Sequence, residues 1–168
     1  MDKQSLREYS PPENRVNLKE MTVEVAEKML ETAEDWCSKE EVPSSIAVVD
    51  NSGAIVALHR MDDSLLGGMT PDIAISKAYT AGVTGTSTYN FAKVLDPRQI
   101  PQDIVGSYYG PALLTQLKGR LNLIPGGEPV RNMDGKVIGG IGVSGVPVGI
   151  GDISDTTACQ AGISALYD

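Results

Sequence analysis

Residues 139–152 read GGIGVSGVPVGIGD, and Gly140-x-Gly142-x-x-Gly145 matches the dinucleotide-binding fingerprint. That pattern marks a nucleotide site only inside a strand–helix–strand unit. Its glycines must close a strand and open a helix at once, and a parallel strand must follow with an acidic residue about 20 positions on. Here the strand reaches about Val143, Pro147 and Gly149-x-Gly151 delay the next helix to about residue 154, and no further strand follows that helix. A doubly wound fold and a nicotinamide cofactor are therefore not expected. The glycines at 139, 140, 142 and 145 are instead expected to let a backbone or a ligand lie close against the strand.

The rest of the pattern defines the remaining elements. Ala26, Met29, Leu30, Ala33 and Cys37 recur at helical spacing, so a helix is predicted over about Thr22 to Glu40, capped by Thr22. SSIAVVD and AIVALHRM flank the turn residues DNSG and predict a hairpin. Both strands are apolar at successive positions, which predicts a sheet covered on both faces. Thr70-Pro71-Asp72 marks a helix start, with Thr70 as cap and an end near Ala81. A short helix is predicted from about Ser87 to Leu95. Residues 97–120 form a long irregular connection holding Tyr108-Tyr109. Residues 120–145 read as three short strands around the turns Pro125-Gly126-Gly127 and Asp134-Gly135. A last helix spans about Asp155 to Tyr167 and stacks Ala158, Ala161, Gly162 and Ala165 on one face. Five strands joined mostly by hairpins, with helices packed on them, make an antiparallel α+β domain. Residues 1–18 are polar and aperiodic and read as an arm, leaving 19–168 as the domain.

Charge and cysteine content narrow the function. The formal net charge is −8 and no basic run occurs, which argues against nucleic acid and against an anionic membrane surface. No apolar run approaches the ~20 residues of a membrane span. The N-terminal residues lack the apolar stretch of a secretory signal, so a cytoplasmic location is expected. Cys37 and Cys159 are not in a C-x-x-C pair; buried free thiols are the expected state.

Four blocks, SSIAVVDNSGAIVALHRMDD, TPDIAISKAYTAG, LIPGGEPVRNMDGKVIGGIGVSG and DTTACQAG, resemble the GlcG/HbpS-like family, which includes the C-terminal domain of PduO-type proteins. The resemblance runs from about Leu18 to Leu166. It implies a profilin-like fold with a five-stranded antiparallel sheet and a homo-oligomeric assembly. It also makes haem a candidate ligand, while many family members have no assigned activity. The stretch after Ser144 is richer in glycine than the family's usual loop.

The candidate site residues follow from their chemistry. His59 is the only histidine, which excludes a multi-histidine metal site; it could be a haem axial ligand, a single general base, or a packed imidazole. Lys77 sits in a small, apolar helix, where it could have a lowered pKa, pair with an acid, or reach solvent. Tyr108 and Tyr109 could wall a planar ligand. Arg131 could clamp a carboxylate or make a surface ion pair. Asp152 and Asp155 could cap the last helix, hold a cation, or compete with an anion there. Ser144 lacks the strand–turn–helix setting of a nucleophilic serine. Lys77, Tyr108 and Asp152 are the catalytic candidates; His59, Met69, Tyr109, Arg131, Gly142 and Ser144 are the ligand-binding ones. No metal is expected. The favoured reading is a small-molecule-binding protein, with haem or another planar ligand. The alternative is a cofactor-independent lyase, isomerase or tautomerase acting on a small carboxylate or aromatic-derived metabolite.

Overall fold

The computed structural model describes residues 21–94, 115–146 and 152–167. The chain runs α1 (Val23–Lys39), β1 (Ser45–Asp50), β2 (Ile55–Arg60), α2 (Met69–Thr84), α3 (Thr88–Val94), β3 (Gly127–Arg131), β4 (Val137–Ser144) and α4 (Asp155–Ser164). All strand pairings are antiparallel, and the sheet order is β2-β1-β4-β3. The domain is α+β, as the element order predicts. Residues 1–18 and the Tyr108-Tyr109 pair lie outside the described residues.

The sheet separates two helical layers. On one face Ile46, Val48, Ile141 and Val143 pack beneath α1 and α4, against Met29, Leu30, Ala33 and Ala158. On the other face Ala47 and Val49 meet Ala74 and Ala78 of α2. Helix α1 forms as its spacing predicts: Ala26, Met29, Leu30, Ala33 and Cys37 are all buried, and the Thr22 hydroxyl accepts from Val25 N–H at 3.2 Å. Both cysteines are buried free thiols.

The glycine question resolves in favour of backbone. Gly142 pairs with Ala47 and Gly140 with Val49, so both glycines face α2. A Cβ at Gly142 would overlap Ala74 O and Ala78 N, and one at Gly140 would overlap Ala78 O and the Gly82 backbone. Helix α2 thus lies directly on the strand, and the missing side chains are what allow that approach.

Four expectations need correction. The sheet has four strands among the described residues, not five. Residues 121–124, although strand-like in composition, bind a helix instead: Asn122 N–H donates to Thr80 Oγ1 at 2.8 Å, its Nδ2 donates to Ser76 Oγ at 3.0 Å, and its Oδ1 accepts from Ile124 N–H. Side-chain partners on α2 take groups that a ladder would have used. Second, β2 is an edge strand and is not covered on both faces; Ile55 and Leu58 are exposed. Third, Thr70 does not cap α2. The helix begins at Met69 behind Gly68, and the Thr70 hydroxyl is buried against those of Ser45 and Ser64. It ends at Thr84 rather than near Ala81, closed by Gly85 in the left-handed region at φ 68°. Fourth, α4 stops at Ser164 and is capped by Ser154, not by Asp152 or Asp155. Ser154 and Thr157 form a reciprocal capping box.

Candidate functional site

Asp155 is released from capping for another partner. Its Oδ2 lies 2.6 Å from Lys77 Nζ, and its Oδ1 accepts from Val146 N–H at 3.0 Å. Lys77 Nζ also donates to Val143 O at 2.9 Å. The lysine side chain is 1% exposed and the aspartate 14%. Lys77 is on α2 and Asp155 on α4, so the pair joins the two helical layers past the end of the sheet. The path exists because Gly142, Gly126 and Gly127 carry no side chains. A Cβ at Gly142 would sit 3.0 Å from Lys77 Cβ, one at Gly126 would sit 3.0 Å from Lys77 Nζ, and one at Gly127 would overlap the Lys77 carbonyl.

Two further titratable groups adjoin this tie. Cys159 Sγ donates to Gly126 O at 3.3 Å, and burial pushes its thiol pKa well up. Burial also raises the carboxyl of Glu128, on edge strand β3. Cys37 lies buried on α1, and its thiol is pushed up to about 11 by desolvation.

The remaining candidates are dispersed. His59 projects toward α1, on the sheet face opposite α2. Its Nε2 lies 2.9 Å from a Glu27 oxygen and its Nδ1 3.2 Å from a Glu34 oxygen. Met69 is exposed at the start of α2. Arg131 donates to Gly85 O at 2.7 Å and to Gly135 O at 2.9 Å, which fastens the end of α2 to the β3–β4 hairpin. Asp152 is exposed, and its carbonyl accepts from the Thr157 hydroxyl. Gly142 and Ser144 are buried in β4. Lys77 and Gly142 are brought together; His59, Met69, Arg131 and Asp152 are not assembled around one point. Among the described residues, no three His, Cys, Asp or Glu side chains cluster as a metal site would need.

Sequence reasoning missed one feature. A cleft of about 260 Å³ opens beside α2, between Tyr79, Ile75, the β1–β2 turn at Gly53 and Ile55, and residues 118–120. The Arg120 guanidinium lies 4.1 Å from the centre of the Tyr79 ring. The 41-residue gap between these two positions leaves no local motif; the only signal was the helical spacing of Asp72, Ile75, Ser76 and Tyr79.

Comparison with known proteins fixes the family. A model described as "Haem degrading protein HbpS-like" matches residues 21–164. An uncharacterised 15.0 kDa protein in the dhaT-dhaS intergenic region of Citrobacter freundii is 34% identical over 125 residues, covering 74% of this chain and 80% of that one. Klebsiella pneumoniae protein ORFY has a solved structure with TM-score 0.74 at 23% identity, covering 95% of this chain and 97% of that one, a likeness of fold. A PduOC:haem complex superposes with TM-score 0.69 at 27% identity, covering 86% of this chain and 94% of that one. A double mutant of Streptomyces reticuli HbpS gives 0.68 at 29% identity, covering 87% and 86%. The family match spans both helical layers and every strand described above, and the chain belongs to the HbpS-like family.

Proposed function

We propose that this chain is a small-molecule-binding protein and that haem is among its ligands. The observation that carries the reading is the family match over 21–164, together with a related structure solved as a haem complex. Fold likeness alone does not transmit a ligand; the donor set of this chain decides the fit. His59 is 30% exposed and both ring nitrogens face carboxylates. The hollow on the adjoining face of α1, about 500 Å³, is lined by Glu24, Glu27 and Glu31 beside Lys28, with Val25, Ala165 and Leu166 as its apolar part. An anionic ligand there would meet three glutamates and one lysine, and His59 is not among the lining residues. With both imidazole nitrogens taken by Glu27 and Glu34, the setting of His59 does not fit a resident haem. Nothing in the geometry favours acid/base chemistry at Lys77 either, because its ammonium is buried against Asp155 and Val143 O.

The test is a haem titration followed by absorbance. A saturable Soret shift at micromolar haem is the expected result, and it should persist in His59→Ala. A spectrum indistinguishable from free haem at every protein concentration would remove haem from the reading. A shift abolished by His59→Ala would show that the carboxylates yield the imidazole to iron.

A further inference from the structure

We propose that the cleft between α2 and residues 118–120 is a binding site for a small planar monocarboxylate, with Arg120 as its anchor and Ile55, Ile75 and Tyr79 as its apolar lining. This inference does not rest on the haem reading, and the two have separate tests.

The cationic side of the cleft is held in place from two directions. Arg120 is stacked on Tyr79 at 4.1 Å, and that ring lies against the β1–β2 turn, where a Cβ at Gly53 would overlap it. Two residues after Arg120, the chain is pinned to α2 through Asn122, Thr80 and Ser76. Lys118 and Gly119 are both left-handed, at φ 52° and 73°, and this bend puts Lys118 and Arg120 on the same rim. A lysine in that conformation costs of order 1 kcal/mol that the surrounding contacts must supply.

Charge and shape select the ligand. The described residues form three ion pairs, and neither Arg120 nor Lys118 is in one. A guanidinium lying over an aromatic ring can still present two N–H groups in its own plane to a carboxylate. Ile55, Ile75 and the Tyr79 ring supply apolar walls for a flat body. Asp72 is also in the lining, so the cleft carries two cations and one anion. That balance matches a monoanion and penalises a second negative charge. The volume lies just under the range typical of drug-sized ligands, which sets the size at a small metabolite.

The experiment uses the full chain, ¹⁵N-labelled, titrated with sodium benzoate, benzamide and inorganic phosphate in turn. Benzoate should shift the amides of Gly53, Ser76, Tyr79 and Gly119 saturably, with millimolar or tighter affinity. Benzamide and phosphate should bind at least about tenfold more weakly. Arg120→Ala should weaken benzoate at least about tenfold, and Arg120→Lys should restore only part of it, because the planar fork is lost. Arg120 is exposed, so the variants should fold, and their spectra away from the cleft report it directly. The proposal is overturned if benzoate gives no saturable shift up to about 10 mM. It is equally overturned if Arg120→Ala leaves the affinity unchanged, or if benzamide or phosphate binds as well as benzoate.

Discussion

Removing the carboxylate of Asp155 should destabilise the fold far more than removing the ammonium of Lys77. In Asp155→Ala the lysine keeps only Val143 O as a partner, at 1% exposure, and Val146 N–H loses its acceptor. Breaking a buried pair from one side costs about 3–5 kcal/mol, because an uncompensated charge is left behind. In Lys77→Met the chain length and most of the packing are kept. The remaining Asp155 is 14% exposed, still accepts from Val146 N–H, and lies in the first turn of α4, where the helix dipole favours an anion. That loss should be about 1–2 kcal/mol. The double variant should recover about 2 kcal/mol relative to Asp155→Ala alone, since no buried charge is left stranded. Urea unfolding followed by circular dichroism measures all three, and a domain of this size typically has about 5–15 kcal/mol to lose. If Asp155→Ala costs less than about 1 kcal/mol, or the double variant is no better than Asp155→Ala, then Lys77 is not a desolvated charge that depends on this partner.

Gly142→Ala should cost about 1–3 kcal/mol or more, because its methyl would overlap the α2 backbone, which cannot yield as a flexible side chain can. Gly68→Ala, with open space around it and φ −73°, should change the urea midpoint little; equal losses at the two sites would refute the close-approach argument. Glu128 has its folded pKa raised, so its contribution is fully present below the ordinary carboxylate value and is lost as pH rises from there through the raised folded value. Glu128→Gln should therefore raise the melting temperature at neutral pH, with the gain shrinking toward about pH 4, and a gain that grows in acid would reverse the sign. Cys37 and Cys159 should resist Ellman's reagent in the native state and react together on unfolding, since burial holds both thiols protonated. Rapid native labelling of either would contradict their burial.

What the sequence shows of this fold is what depends on neighbours along the chain. The period of α1 and the Thr22 cap are local, and both appear as read. So does the β1–β2 turn, where Asp50 Oδ1 accepts from Ser52 N–H at 2.8 Å and Ala54 N–H at 3.0 Å. What it hides depends on contacts from afar. Thr70 looks like a cap, yet Ser45, 25 residues away, claims its hydroxyl. Residues 121–124 look like a strand until Thr80 and Ser76 take Asn122. A pairing acid was one option for Lys77, but Asp155, 78 residues on, carried the equally good local reading of a helix cap. Ser154 took that cap and left the aspartate free.

The glycines of β4 and the spacing of α2 together explain why one helix serves two purposes. Ala74, Ala78 and Gly82 recur at four-residue intervals and face Gly142 and Gly140, so α2 is set by backbone contact as well as by the packing of Ala74 and Ala78 on Ala47 and Val49. Lys77 leaves the helix beside Gly142, where the strand offers no side chain to block it. An adjoining stripe, Asp72, Ile75, Ser76 and Tyr79, lines the cleft, and its Ile75 also packs against the cluster of Ala47, Val49, Ala74 and Ala78. The depth of that cleft depends on how far Tyr79 descends onto Gly53, and this in turn depends on how close α2 comes to the sheet. The glycines of that fingerprint therefore bear on the proposed cleft, by fixing how close to the sheet the helix that lines it can lie.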